Sequence, residues 1–567
     1  LKQEFIMKRI LLLPFLCLTG IPLLPLNILP VYADQPAGSQ KNITEAIHPE
    51  IDSSVKSEQI RELISPDRIS PDQGASYMAR LTIPRAADRE SLSTCILLEN
   101  GKPLPHPHAL HKRIRDQGRG HYSHWTPNTL YFSASDSSDP RTNGKKYELV
   151  NHESYFEKQS SFLLTAPHSE IEFPAFPRRQ IQPVKIIWQN LDTQNKVSLT
   201  WKRKGAPDLT SQETMLASIL KPGMQEEERA LAIWKFLIDW RYHFTPAEQG
   251  DELHDPVKFL NVYGYGFCDD CATNFAVLAR KAGLQSRVWG LSGHVVAEAF
   301  YDGRWHMFDP DHQVVYRNEQ GVIAGVEELS QHPELITKTP LDPIGSPSQL
   351  IADLYTSTND NRVSEIQPVI NDTVMAPILE PLDHVEFRFS HAEYVHQKPS
   401  VDSAKPPVVG NGTLKRTSPF LQNLKQTGPH QREWHLKWPY VFLKGTLNLK
   451  WEATETPPFV FISSDTKSWQ KLDGDFTKNQ LHVSLDQWIQ NQPTAVYECF
   501  VRLENPDKTD PAGSIKQLDA EMIFQFAPRA LAHIDNKYNT FEMKLTSDPA
   551  INGKGVKVQL LWKEIEQ

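Results

Sequence analysis

The sequence predicts a multidomain chain in which a central α+β segment is flanked by all-β sandwich domains. Three observations carry this expectation. The chain has 567 residues, and at roughly 150 residues per domain that is enough for three or four domains. Its outer parts carry short runs of alternating apolar and polar residues separated by turn-rich stretches, the period of half-buried strands. Between residues 206 and 360 the apolar period changes to that of helices before strands return, which marks an α+β segment.

Composition narrows the function classes. Hydrophobic residues make up 39% and aromatics 10%, enough for packed cores. Lys+Arg 60 against Asp+Glu 69 leaves a net charge of −9, and no basic stripe runs through the chain, so a nucleic-acid partner is excluded. Pro 43 exceeds Gly 27, which favours stiff, extended connections. No internal repeat recurs at a fixed period.

Residues 7–33 read as a signal peptide: Met7, Lys8 and Arg9, an apolar run from Ile10 to Val31, and Val31-Tyr32-Ala33 before Asp34. Pro14, Pro22, Pro25 and Pro30 interrupt the run and no basic stop-transfer cluster follows, so no stable membrane span is expected after its removal. The expected location is secreted or periplasmic. Residues 34–74 are polar and read as a linker, and residues 75–205 as an N-terminal β-sandwich with strands at Tyr77–Ile83, Thr94–Leu98, Thr129–Phe132, Ser161–Ala166, Val184–Trp188 and Lys196–Trp201. In residues 206–360, Ala230, Ile233, Leu237 and Trp240 share one face of a helix over Glu226–Arg241, and a second helix follows over Cys268–Ala282. Residues 361–420 form a Pro/Ser-rich connection. Residues 421–567 return to strand periodicity at Val441–Leu449, Phe459–Ser463, Ala495–Leu503 and Met522–Phe526, a C-terminal β-sandwich.

With Cys17 in the signal segment, the cysteines left are Cys95, Cys268, Cys271 and Cys499. That is no disulfide scaffold. Cys95 and Cys499 sit in strand-like runs as small hydrophobes. Cys268 differs. It closes the glycine-bearing loop Gly264-Tyr265-Gly266-Phe267 and opens the helix carrying Ala272, Phe275, Ala276 and Ala279. Free N–H groups and the helix dipole favour a thiolate at that position, which is a competent nucleophile.

A nucleophilic cysteine needs a base, and the base an orienter. Asp302-Gly303 between two strand-like runs signals a two-residue hairpin. Pairing Tyr301 with Arg304 sets Val296 opposite Asp309 and His294 opposite Asp311. His294 and Asp309 are then diagonal neighbours on one face, with Cβ atoms roughly 7 Å apart. Val295, Ala297, Ala299 and Phe308 fall on the other face, the core side.

The ordered pattern resembles the transglutaminase-like superfamily of papain-type cysteine enzymes over roughly residues 215–315. It consists of a glycine-preceded Cys268 with Ala272, the run Leu278–Val288, His294 with Glu298, and Gly303-Arg304-Trp305 leading to Phe308-Asp309-Pro310. The resemblance implies Cys268 as nucleophile, His294 as general base and acid, and Asp309 as the residue orienting the imidazole, with Asp311 as the rival to Asp309. Val296 stands where such families often have an aromatic, implying a different pocket wall. No metal and no cofactor are implied. The expected reaction is acyl transfer on an amide or peptide bond, hydrolysis before transamidation, with a protein, peptide or peptidoglycan-like amide as substrate. The substrate-binding residues are unknown. The alternative is a non-catalytic module on the same scaffold that binds envelope polysaccharide or protein.

Other features have plainer readings. Cys268-Asp-Asp-Cys271 lacks a thioredoxin-like βαβ context, and its acids oppose a redox thiolate. It also lacks the second cysteine pair of a structural zinc site. Cys271 is then a helix-face residue or a partner in reversible oxidation of Cys268. His106, His108, His111, His121 and His124 read as a polar loop rather than a metal site. Tyr122, Trp125, Tyr131 and Phe132 beside Arg119 read as core aromatics, with a polysaccharide-stacking surface as the other reading. Ser464–Trp469 resembles a degenerate Asp-box turn.

Overall fold

Alternation of β-branched and aromatic residues in the outer parts of the chain is realised as long, mostly antiparallel ladders in the computed structural model. The description covers residues 44–566 apart from 48, 83–92, 94, 127, 175–178, 245–251, 358–360, 365–371, 391, 397–408, 418–423, 453–456, 506–514, 537–538 and 548–553. The signal-peptide segment 7–33 lies outside the described residues.

The main sheet has 12 strands. At its centre Val556–Glu566 lies between Arg179–Asn190 and Tyr147–Leu164, antiparallel to both. Arg179–Asn190 pairs onward with His384–Arg388, then Gly410–Thr417, Ile515–Phe526 and Phe442–Trp451. A second sheet orders Thr44–Ile47, His168–Glu172, Thr540–Ser547, Val197–Arg203 and Ile378–Leu379.

This topology corrects the sequence-based boundaries. The expected sandwiches 75–205 and 421–567 are not closed units, because strands from both enter the same two sheets. The expected linker 34–74 holds the strand Asp52–Ile64, zipped onto the strand Tyr147–Leu164 from Asp52↔Gln159 to Ile64↔Tyr147. The expected connection 361–420 contributes His384–Arg388 and Gly410–Thr417 to the main sheet. Polar composition marks these stretches as connections only while their partners, often more than a hundred residues distant, are out of view.

One apolar core runs through the sheets and into the central segment, from Phe162 and Trp188 through Phe275 and Phe308 to Phe524 and Trp562. Aromatic edges lock it: the Trp188 and Phe387 rings are 4.7 Å apart, and Phe387 meets Phe524 at 5.4 Å. Cys95 and Cys499 are buried free thiols, and burial pushes Cys499 up to about 12. Among the described residues no helix is long and apolar enough to cross a membrane.

A buried ion pair ties the strand Gly410–Thr417 to the turn that joins Ile378–Leu379 to His384–Arg388. Arg416, in Gly410–Thr417, donates from Nη2 to Asp383 Oδ2 at 2.7 Å and from Nε to Oδ1 at 3.0 Å. The Asp383 carboxylate also accepts from the Glu380 amide at 2.8 Å. Burial pushes the Asp383 carboxyl up to about 6 against the pull of Arg416. Removing the cation strands that carboxylate, so Arg416→Ala should cost about 3–5 kcal/mol of stability, read from urea unfolding. A change below about 1 kcal/mol would show that the pair holds nothing.

Candidate active site

The central segment begins with the helix Glu226–Trp240, whose Ala230, Ile233, Phe236 and Leu237 are buried. The chain then extends as Tyr242–His243, which pairs in parallel with Tyr265–Gly266. Gly264 has φ +71°, and a Cβ there would lie 2.8 Å from Ala527 Cβ. At Gly266 a Cβ would meet Phe259 Cε2 at 2.6 Å and Asp270 Oδ2 at 2.8 Å. Glycine there leaves room for Asp270 Oδ2 to accept from the Phe267 amide at 2.9 Å, which caps the helix Cys268–Lys281. Cys268 is the first residue of that helix and is partly exposed.

His294 arrives on a hairpin. Gln285–Leu291 and His294–Tyr301 are joined through Ser292-Gly293, with Gly293 at φ +82°. The expected pairing around Asp302-Gly303 is found from Tyr301↔Arg304 to Ala297↔Phe308. It then stops. Asp309 instead exchanges backbone hydrogen bonds with Val314, and Pro310 has no N–H to extend the ladder. Val296 and His294 therefore do not face Asp309 and Asp311 as ladder partners. The turn-out still brings the side chains together: His294 Nε2 lies 2.7 Å from Asp309 Oδ2.

Nε2 being taken by Asp309, Nδ1 is left for the sulfur. Cys268 Sγ, a His294 ring nitrogen and an Asp311 carboxylate oxygen all lie within 4.8 Å of one another. Burial works against a charged His294 ring, but the Asp309 carboxylate and then the Cys268 sulfur outweigh it and hold the imidazole well above its ordinary range. Burial also opposes the charged form of Asp309, yet the His294 ring keeps that carboxyl below its usual value. The favoured state of this pair is a protonated imidazole held against the Asp309 carboxylate.

The model of the transglutaminase-like superfamily matches residues 213–310. That stretch is a transglutaminase-like domain. The match spans under a fifth of the chain and contains Cys268, His294 and Asp309, but not Asp311. No curated protein matches the chain. Among solved structures, one from Parabacteroides distasonis ATCC 8503, described as a putative protease, aligns at 10% identity over 84% of this chain and 97% of that one. Its TM-score is 0.14.

Both faces of the domain's hairpin are covered. Ala297, Ala299 and Phe308 pack toward the helix Cys268–Lys281, as expected. The opposite face is not open: Val296 and Met307 are buried with Leu329, Ile351 and Tyr355 of the following helices. Val296 therefore packs in that second core. Glu298 clips this layer in place, accepting from Arg287 Nε at 2.6 Å, from Trp289 Nε1, and from the Val326 amide at 2.8 Å.

The structure also shows groups around the dyad that sequence reasoning passed over. Asp311 accepts from His243 Nδ1 at 2.8 Å, and Arg241 Nη2 lies 3.2 Å from the same Oδ1. Buried Arg241 also donates to the carbonyls of Pro310 and Asp311. His312 meets the His294 ring edge-on at 4.5 Å, with its Nδ1 2.5 Å from Asp342. The one signal for them was the Asp309-Pro310-Asp311-His312 run itself. Cys271 is fully buried, and burial first of all pushes its thiol well above the ordinary range. That environment suits a helix-face residue rather than a redox partner. The histidines between 106 and 124 split up: His106 stacks on His121, His111 packs against Trp125 and Tyr131, and His124 meets Ser93 Oγ. Among the described residues they form no group of three donors. Tyr122 and Phe132 are core, whereas Trp125 is 36% exposed. Ser464–Trp469 is a turn organised by Asp465, which accepts from the Lys467 and Ser468 amides.

With its folded value raised well above the ordinary imidazole range, His294 contributes stability that is fully present below that range and lost as pH rises through the folded value. Asp309→Asn removes the anion behind the ring. The His294 titration midpoint, followed by NMR of labelled histidine, should fall, and this part of the stability slope should flatten. An unchanged or raised midpoint would contradict the assignment of cause.

Proposed function

We propose that the protein is a cysteine-dependent acyl-transfer enzyme that hydrolyses amide or peptide bonds through Cys268, His294 and Asp309. The observation that carries this reading is the convergence of a partly exposed thiol at a helix N-terminus with a buried imidazole whose far nitrogen is held by a buried carboxylate. In the first half-reaction the Cys268 thiolate attacks the carbonyl carbon. The imidazolium passes its Nδ1 proton to the leaving amine as the C–N bond breaks, leaving a thioester. In the second, His294 takes a proton from water as its oxygen attacks the thioester, and the acid leaves with Cys268 restored. Backbone N–H groups in the first turn of the helix Cys268–Lys281 are suited to hold the developing oxyanion.

Water is the favoured acceptor because it reaches the partly exposed thiol unaided, whereas transamidation requires a pocket that selects an amine. The substrate class is a protein, a peptide or a peptidoglycan-like amide outside the cytoplasm. The secreted or periplasmic location rests on the Met7–Ala33 pattern. Contact with polysaccharide belongs to the surrounding β regions, with Trp125 as an exposed aromatic there.

Cys268→Ala should abolish labelling by a thiol-directed acyl probe while leaving unfolding by urea cooperative. Undiminished labelling in that variant would end this reading. With a peptide amide that the protein cleaves, His294→Ala should lower kcat/KM by about 10²–10⁴-fold. A loss below tenfold would remove His294 from proton transfer.

A further inference from the structure

We propose that Cys268, His294 and Asp311 form a zinc-binding site that overlaps the nucleophile, so that Zn²⁺ acts as a reversible inhibitor of the enzyme. The proposal rests on the cysteine-enzyme reading for its consequence, but its geometry stands apart from it. The three donor atoms lie within 4.8 Å of one another. Thiolate, imidazole and carboxylate are the ligand types zinc takes, and three protein ligands leave a fourth position for water. Tetrahedral zinc holds such donors about 3.3–3.6 Å apart, so closing on the ion takes side-chain movement on the order of 1 Å.

The surroundings suit the ion. His294 would ligate through Nδ1, because Nε2 is already 2.7 Å from Asp309 Oδ2, the carboxylate–histidine support that orients metal-bound imidazoles. The two groups on the Asp311 carboxylate, His243 Nδ1 and Arg241, both sit on Oδ1, so Oδ2 would be the ligating oxygen. Arg241 is a cation close to the site, held by its ion pair with Asp311 Oδ1 and by the Pro310 and Asp311 carbonyls. Partly exposed Cys268 gives an entry path. Binding forms the S–Zn, N–Zn and O–Zn bonds and sends the proton shared by Cys268 and His294 into solvent, with no change of oxidation state. The metal neutralises the thiolate and occupies the space beside it that the acyl carbon needs, so occupancy excludes the first chemical step.

The test uses the full chain with Zn²⁺, and Co²⁺ as its spectroscopic stand-in. Calorimetry in buffers of different ionisation enthalpy should give one ion and about one proton released per chain. Co²⁺ should produce a thiolate-to-cobalt charge-transfer band in the near ultraviolet that is absent in Cys268→Ala. Asp311→Asn should weaken Zn²⁺ at least as much as Asp309→Asn, for which loss of the orienting carboxylate predicts about 10- to 100-fold. His294→Ala provides an independent check should Asp311→Asn fold poorly. Zinc binding that persists in Cys268→Ala, with no charge-transfer band in the parent, would overturn the proposal and move the ion to His254, Asp269 and Asp270, the other donor group within 4.8 Å. Failure of the hydrolase reading would leave the band intact, whereas failure of this proposal would leave activity insensitive to Zn²⁺.

Discussion

The buried carboxylate of Asp309 is the constraint on which the site depends. Its Oδ2 meets His294, and its Oδ1 accepts from the amides of Asp311 and His312 at 2.9 Å each. Its backbone closes a bridge with Val314, and its carbonyl accepts from Trp234 Nε1 at 3.0 Å. One residue thus orients the imidazole, shapes the turn that carries Asp311 and His312, and fastens that turn to the helix Glu226–Trp240. A carboxylate so enclosed is tolerable only because every one of these bonds is made.

The other half of the site is held from outside the transglutaminase-like domain. Arg529 donates to the carbonyls of Asp239 and Arg241 at 3.0 and 2.9 Å, and its guanidinium lies 3.8 Å above the Tyr242 ring. The Ala527 amide donates to the Asn261 carbonyl, and Gln525 Nε2 donates to that of Val262. These contacts all come from the end of the strand Ile515–Phe526 and the turn after it. They fix the loop before Cys268 and the extended piece carrying His243. The β regions are therefore part of how Cys268 is positioned.

How much was legible beforehand follows from the range of each interaction. The helix opening at Cys268 and the hairpin at Asp302-Gly303 rest on neighbours within a few residues, and both appear in the structure as read from the sequence. The approach of His294 to Asp309 could be read as a spacing, but the ladder's end at Phe308 could not, since it depends on Val314 competing for the Asp309 backbone. Arg241 and His243 escaped notice because they lie some seventy residues before the Asp311 they contact. The sheets failed to show for the same reason. Alternation identifies a strand and says nothing of its partner, so Asp52–Ile64 read as a linker and the two outer regions as separate sandwiches.

The placement of Val556–Glu566 bears on when this molecule can become itself. That strand fills the middle of the main sheet, so Tyr147–Leu164 and Arg179–Asn190 are joined in it only through Val556–Glu566. Nearly four hundred residues separate it from the strands it joins, a loop whose closure is entropically costly and slow. During synthesis the early strands must wait with open edges, which exposes them to pairing with the wrong chain. The segments around Cys268, clamped by Arg529 and Ala527, then depend on chain made well over two hundred residues later.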